Sequence, residues 1–128
     1  MGCDIHMTFE RQTPDGYVQV DVPDKFDDRC TPFFSWLAGI GRYRCPLLTV
    51  PLAKERGFPQ DMGPVGWWVE DCHHDPSWVG LDELVAYPYQ TEVREGETAQ
   101  DMLGERYFEA LEGWRACGVD RIVFWFDS

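Results

Sequence analysis

The chain has 128 residues and a formal net charge of −12, from 23 acidic and 11 basic side chains. Hydrophobic residues make up 44% of it and aromatic residues 15%, which excludes a disordered chain and predicts a single domain over residues 1–128. The acidic balance argues against direct binding to nucleic acid or to an anionic membrane, since both need clustered Lys and Arg. It permits a plainly soluble protein, one that binds a basic partner, or one that imitates the charge of nucleic acid. The odd number of cysteines, five, and the lack of a membrane-length apolar run favour reduced thiols in a cytoplasm.

The first third of the chain predicts a β-hairpin and a short helix. Residues 3–10 alternate between apolar and polar side chains, which is typical of a strand with one buried face. The turn sequence TPDG at 13–16 and a β-forming run at 17–22 complete the hairpin. The Thr-Pro pair at 31–32 predicts a helix start with the threonine as N-cap, and Gly39 is expected to end that helix.

The rest of the chain predicts two helices and a buried strand. Residues 42–76 are rich in Pro and Gly and are expected to be irregular. A short helix is predicted over 77–88, with Ser77 as its cap. The clearest helix spans 98–118, where a capping-box spacing precedes an apolar stripe at helical period. The run RIVFWFD at 121–127 is apolar on both faces, as in a central strand.

These elements predict an α+β fold. A small, mostly antiparallel sheet, made of the N-terminal hairpin and the C-terminal strand, would pack on the long helix of the C-terminal half and on shorter helices. If the first and last strands pair antiparallel, Asp127 lies near Cys3 and Asp4.

The first strand carries side chains suited to hold a metal ion or to move a proton. Asp4 and His6 share one face of the strand, with Cα atoms roughly 6–7 Å apart. That spacing suits two ligands of one metal ion, or a carboxylate that orients an imidazole. Cys3 points to the other face and is expected in the core. A D-x-H pattern also occurs by chance, so its specificity is low.

A second group of candidate ligands is the run EDCHHD at 70–75. It can supply one or two metal ligands, but no C-x-x-C or H-E-x-x-H spacing supports a site, and a solvated loop before a helix is favoured on spacing alone. A nucleophilic Cys–His pair, for example Cys72 with His6, is a less favoured alternative.

The third candidate is Asp127, which can cap a turn, pair with an arginine or join a site at the end of the last strand. Arg56 and Asp61 are weaker candidates, best explained as a proline-anchored turn held by an ion pair. The sequence has no nucleophile elbow, phosphate-binding loop or dinucleotide fingerprint.

Several of these motifs occur together in one known group of proteins. The opening MGCDIH, the middle LAGIGRY and RGFPQD, HDPSW with the following LDEL, and the closing RIVFWFDS resemble, in order and spacing, a family of small, mostly uncharacterised phage and prophage proteins. Family members begin with MGCDIH and end with FWFDN. The matching positions are Gly2, Cys3, Asp4, His6, Arg56, Gly57, Pro59, Asp61, His74, Ser77, Trp78, Trp125, Phe126 and Asp127. The chain departs from the family at Asp75, where the pattern has Ser, at Gly63, often Ser, and at Ser128, where it has Asn.

The resemblance implies a phage or prophage protein in the host cytoplasm, and it brings no established activity. It favours a joint metal site of Asp4, His6, His74 and Asp127, holding zinc, manganese or iron. In this hypothesis Asp4, His6 and Asp127 are catalytic, and the protein is a metal-dependent hydrolase of a phosphoester or a related bond such as an amide.

Two other hypotheses stay open. In the first, the protein is a non-enzymatic inhibitor of a host antiviral complex, of the anti-CRISPR kind. Its densest acidic patch would then bind a basic nucleic-acid-binding surface of a host protein. The residues of that patch are Asp21, Asp24, Asp27 and Asp28. In the second, Asp4, His6 and Asp127 form a polar network that only stabilises the fold.

Overall fold

The structure is a computed structural model that describes residues 3–62 and 74–127. Within these ranges the chain forms six strands and three helices. The strands are β1 (Asp4–Thr13), β2 (Gly16–Gln19), β3 (His74–Gly80), β4 (Glu92–Arg94), β5 (Glu97–Thr98) and β6 (Arg121–Asp127), and the helices are α1 (Thr31–Ala38), α2 (Leu81–Ala86) and α3 (Ala99–Ala116).

Four strands form an antiparallel sheet in the order β2–β1–β6–β3. The hairpin of β1 and β2 closes within the predicted turn at 13–16, and β6 lies inside the sheet between β1 and β3. The α+β fold predicted from the sequence is therefore confirmed. The strands β4 and β5 form a separate two-stranded ribbon.

The strand β3 was not predicted. A helix was expected over 77–88 with Ser77 as its cap, and that expectation is wrong for the first turn. Ser77 is buried within β3, and its hydroxyl donates a hydrogen bond to the carbonyl of Lys54 at 3.0 Å. Helix α2 begins after Gly80, whose amide donates to the Glu83 carboxylate at 2.9 Å. A serine side chain suits both arrangements, so its position alone could not locate the helix start.

The helix α3 begins as the sequence predicted. The Thr98 hydroxyl accepts a hydrogen bond from the Asp101 amide at 3.2 Å, which completes the capping box. The predicted apolar stripe is buried along its whole length. Its members are Leu103, Tyr107, Ala110, Leu111 and Trp114. The helix is interrupted at Gly104, where φ is +80°, a conformation that favours glycine. No helix in the described part of the chain has the length and apolarity to cross a membrane.

The start of α1 differs by one residue from the prediction. Thr31 is the first helical residue rather than the N-cap, and Cys30 occupies the cap position without a side-chain hydrogen bond. Gly39 ends the helix with φ of +78°, as predicted.

One face of the sheet packs on α1 and α3. The ring of Phe126 lies 5.3 Å from that of Phe34 in α1, and the ring of Phe9 lies 5.1 Å from Trp114 in α3. All four side chains are at most 3% exposed. Burial of such a ring stabilises the fold by roughly 1.5–3 kcal/mol, so this face fixes which side of β1 and β6 points outward.

The opposite face of the sheet is apolar in its middle and polar towards its ends. Val123 and Trp125 form a small second core. The side chains that cover it are Phe58, Met62 and Trp78. At one end Glu10 and Arg121 form a buried ion pair, with 2.7 Å between Oε1 and Nε. At the other end lie the residues that the sequence marked as a candidate site.

Candidate functional site

The pairing of β1 with β6 brings Asp4 opposite Asp127 and His6 opposite Trp125. The expectation that Asp127 lies near the start of the first strand is thereby confirmed. His6 Nε2 and Asp127 Oδ2 form a hydrogen bond across the two strands. Their side chains are 38% and 36% exposed, so the pair lies where solvent and a ligand can reach it.

The contact with Asp127 orients the imidazole of His6. When the carboxylate is ionised, Nε2–H donates the hydrogen bond, and the neutral ring carries its lone pair on Nδ1. The ring also stacks on Trp125, with centroids 5.8 Å apart and an interplanar angle of 18°. An imidazole held by a carboxylate can accept and return a proton, as in general acid–base catalysis.

Asp4 has its own cationic partner. Arg29 donates from Nε to Oδ1 at 2.6 Å and from Nη2 to Oδ2 at 3.3 Å. The hydrogen bond from Arg29 lowers the pKa of Asp4, against a smaller opposing effect of burial. Asp4 is therefore an ionised partner of Arg29, and it does not share the hydrogen bond of His6 with Asp127.

A polar groove with a volume of about 260 Å³ lies beside His6. It runs over β1 and β2 and is bounded by the loop that follows β2. Its wall includes His6, Gln19, Asp21, Lys25, Asp27 and Trp125. The wall thus combines a proton-transfer group, an amide, charges of both signs and an indole ring. It is a candidate site for a small polar ligand.

His74 lies on the opposite face of the sheet from His6. It pairs in register with Phe126, and its ring stacks on the Phe126 ring with centroids 6.1 Å apart. Neighbouring residues of a strand point to opposite faces, so Phe126 and Asp127 lie on different sides of β6. His74 Nε2 lies 4.0 Å from Cys3 Sγ, on the face that packs on the helices.

The four predicted metal ligands are therefore not brought together. Asp4, His6 and Asp127 share one face, and His74 belongs to the other. Within residues 3–62 and 74–127, no group of three or more His, Cys, Asp or Glu side chains is arranged to hold a metal ion. This donor set does not fit the zinc, manganese or iron site that the sequence predicted.

The predicted acidic patch is divided by the fold. Asp24 and Asp28 pair with Arg106 of α3 at 3.3 and 2.5 Å. Asp21 and Asp27 line the groove instead. Two of the four carboxylates thus share one arginine within the protein, and the other two face the groove.

The expectation of an ion pair between Arg56 and Asp61 is wrong. Arg56 donates two hydrogen bonds to Glu83, at 2.8 and 2.9 Å, and its guanidinium lies over the Trp78 ring. Asp61 accepts a hydrogen bond from Arg121 at 3.0 Å. Both residues fasten the segment before β3 to other elements, which is a structural role.

Part of the predicted ligand run lies outside the described residues. This holds for 70–73, including Cys72, and for the motif positions Gly2, Gly63 and Ser128. The alternative of a Cys72–His6 pair therefore stays a prediction.

Sequence reasoning did not identify Lys25 or Arg29 as neighbours of the candidate residues, whereas Asp75 was already part of the predicted ligand run at 70–75. Lys25 and Arg29 lie in the loop after the hairpin, and no local pattern indicates that this loop folds back over the start of β1. Asp75 has φ of +53°, which is uncommon for a residue other than glycine.

Comparison of the chain with protein-family models, with curated proteins and with solved structures finds no match.

Proposed function

We propose that the protein is a hydrolase in which His6, oriented by Asp127, transfers the proton of the attacking water. The hydrogen bond between Asp127 and His6, a residue of the groove wall, carries this proposal. The Nδ1 lone pair takes a proton from water as the oxygen attacks the substrate, and Nδ1–H then returns a proton to the leaving group. The carboxylate of Asp127 holds the ring and stabilises the imidazolium that forms between these two steps.

The charge of the groove favours one class of substrate. Asp21 and Asp27 place two carboxylates against the single ammonium of Lys25. A phosphoester brings its own negative charge and is repelled, whereas a neutral or cationic substrate is not. Of the bonds that the sequence analysis considered, an amide, or the related carboxylic ester, is therefore favoured over a phosphoester.

The test is hydrolysis of matched chromogenic substrates by tag-free protein. The panel contains a neutral ester, a cationic ester, an amide and bis-p-nitrophenyl phosphate. We expect turnover of the neutral and cationic carboxylic substrates at a higher kcat/KM than that of the phosphoester. Replacement of His6 by Gln should lower kcat by about 10²–10⁴-fold, the usual contribution of a general acid–base group.

The variant Asp127→Asn keeps the size of the side chain and removes its charge, so kcat should fall while folding is retained. Asp15→Asn is the matched control, because Asp15 lies in the exposed turn of the hairpin. Each assay is run with EDTA and with added zinc or manganese, which separates metal-dependent turnover. If no substrate is turned over, or if His6→Gln retains full kcat, the proposal is refuted.

As an alternative we propose a non-enzymatic phage protein that blocks a basic host protein in the host cytoplasm. The net charge of −12 and the exposed carboxylates of Asp21 and Asp27 support it. The test is phage plating on a host with a nucleic-acid-binding antiviral complex, with and without the protein. Under this alternative, plating rises with the wild type and with His6→Gln, and falls back when Asp21 and Asp27 are both replaced by Asn.

A further inference from the structure

On the face of the sheet that packs on the helices, three side chains follow one another as a nucleophile, a base and a group that orients the base do in an enzyme. Cys3 Sγ lies 4.0 Å from His74 Nε2, and His74 Nδ1 lies 2.6 Å from Asp75 Oδ2. The hydrogen bond to Asp75 places the proton on Nδ1 when the carboxylate is ionised, so the lone pair of Nε2 points to the thiol. Contacts between nucleophile and base are often longer without substrate, and 4.0 Å is at the upper limit of a hydrogen bond that involves sulfur.

The backbone holds these groups in place by a distortion. The register of β3 against β6 shifts between His74 and Ser77, and Asp75 adopts φ of +53° at this shift. Bulges and residues with positive φ are found preferentially at functional sites. His74 and Asp75 are 39% and 44% exposed, so a substrate can reach them.

The surroundings of Cys3 include a cation. Arg29 lies near enough that, after the larger effect of Asp4, a thiolate at Cys3 contributes to raising the pKa of Arg29. This contribution is the last of several that act on Arg29, whose guanidinium is held by two hydrogen bonds to Asp4.

We propose that Cys3, His74 and Asp75 form a second reactive site, in which Cys3 is the nucleophile of an acyl transfer, His74 its base, and Asp75 the residue that positions His74. It shares no residue with the proposed His6–Asp127 centre, so either proposal can fail without the other. The substrate class is an activated acyl group, an ester or a thioester.

The chemical steps need only water as a co-reactant. The Cys3 thiol passes its proton to His74 Nε2, and the sulfur attacks the acyl carbon. The carbon–sulfur bond forms, the bond to the alcohol or thiol breaks, and the leaving group takes the proton from His74. Water then attacks the thioester and gives a proton to His74, which passes it to the departing sulfur. The carboxylic acid is released and the Cys3 thiol is restored.

The test uses p-nitrophenyl acetate as the acyl donor and the full chain without a tag. The reaction is quenched with acid, and the acetyl group is located on each of the five cysteines by peptide mass spectrometry. We expect acetylation of Cys3 at least about tenfold faster than that of Cys30 or Cys117, both partly exposed free thiols. The thioester should disappear again as it is hydrolysed.

Three variants separate the roles. Cys3→Ala should remove the acetylated species, whereas Cys30→Ala, the matched control, should leave it unchanged. His74→Gln should slow the acetylation of Cys3 by about 10²-fold or more. Asp75→Asn retains a residue type that tolerates positive φ, and should slow acetylation and change the ring-nitrogen chemical shifts of His74. Each variant is checked by circular dichroism.

The result decides the proposal in either direction. Acetylation of Cys3 at the rate of Cys30 and Cys117 would overturn it, as would a rate that His74→Gln does not change in a folded protein. No acetylation of Cys3 at all would overturn it too. Preferential acetylation that depends on His74 would assign a nucleophile to this face of the sheet.

Discussion

The buried ion pair between Glu10 and Arg121 gives a stability prediction that can be worked from the structure. The Glu10 side chain is fully buried and that of Arg121 is 7% exposed. The two residues lie directly opposite each other in β1 and β6, so the pair links the hairpin to the central strand. The replacement Glu10→Ala leaves the guanidinium in a site with little water to solvate it.

Removal of one partner of a buried ion pair costs roughly 3–5 kcal/mol. Arg121 keeps Asp61 at 3.0 Å and the Tyr17 ring at 3.5 Å, so the lower end of that range is expected. A loss of about 3 kcal/mol is a large share of the roughly 5–15 kcal/mol that stabilise a typical domain. For a chain of this size it corresponds to a fall in Tm of about 10 °C.

The assay is urea denaturation followed by tryptophan fluorescence and by circular dichroism. The control is Glu112→Ala, which removes an exposed ion pair with Arg115 and should cost less than about 1 kcal/mol. The double variant Glu10→Leu/Arg121→Met should recover most of the loss, because no unpaired charge stays buried. If Glu10→Ala and Glu112→Ala have the same free energy of unfolding, the reasoning about burial is refuted.

Three further predictions follow from other contacts. Burial raises the pKa of Tyr89 to about 12, above that of an unfolded tyrosine. The folded protein therefore holds this phenol proton more tightly, and the contribution of Tyr89 to stability is complete below about pH 10 and is lost as the pH rises towards 12. An alkaline titration followed by tyrosinate absorbance and circular dichroism should show this loss, and Tyr89→Phe, which removes the hydrogen bond to Tyr107, should reduce it. Thr98→Ala should lower the free energy of unfolding in urea by about 1 kcal/mol, since it removes the cap of α3. The third prediction concerns elemental analysis of the tag-free wild type, of His6→Ala and of His74→Ala. Because the two histidines lie on opposite faces, no zinc, manganese or iron of the wild type should be lost in both variants. A metal lost in both would contradict the separation seen here.

The elements that could be predicted are those whose signal is local. The hairpin is encoded by alternation and a turn, α3 by its cap and stripe, and β6 by a run of apolar β-forming residues. The strand β3 could not be predicted, because Asp75, Pro76 and Ser77 are residues of turns and caps. Its conformation depends on pairing with β6 and on the hydrogen bond of Ser77 with Lys54, and neither is visible in a short window.

Only the part of the candidate site that strand pairing determines could be predicted from the sequence. The contact of His6 with Asp127 follows from antiparallel pairing of the first and last strands, which the sequence analysis raised as a condition. Arg29 and Lys25 reach the same area through a loop whose path is set by tertiary packing. A charge count can suggest that carboxylates will find cationic partners, but it does not indicate which ones.

The placement of His74 depends on a single extra residue. From Ser77 to Gly80 the register of β3 with β6 is regular, and an unbroken ladder would put His74 opposite Asp127. That arrangement would place it on the face of Asp4 and His6, as the joint site required. The irregularity at Asp75 moves His74 by one position, opposite Phe126. Because side chains alternate between faces, a shift of one residue moves the imidazole through the sheet to Cys3. The bulge therefore separates His74 from Asp4, His6 and Asp127 and places it beside Cys3 on the opposite face of the sheet.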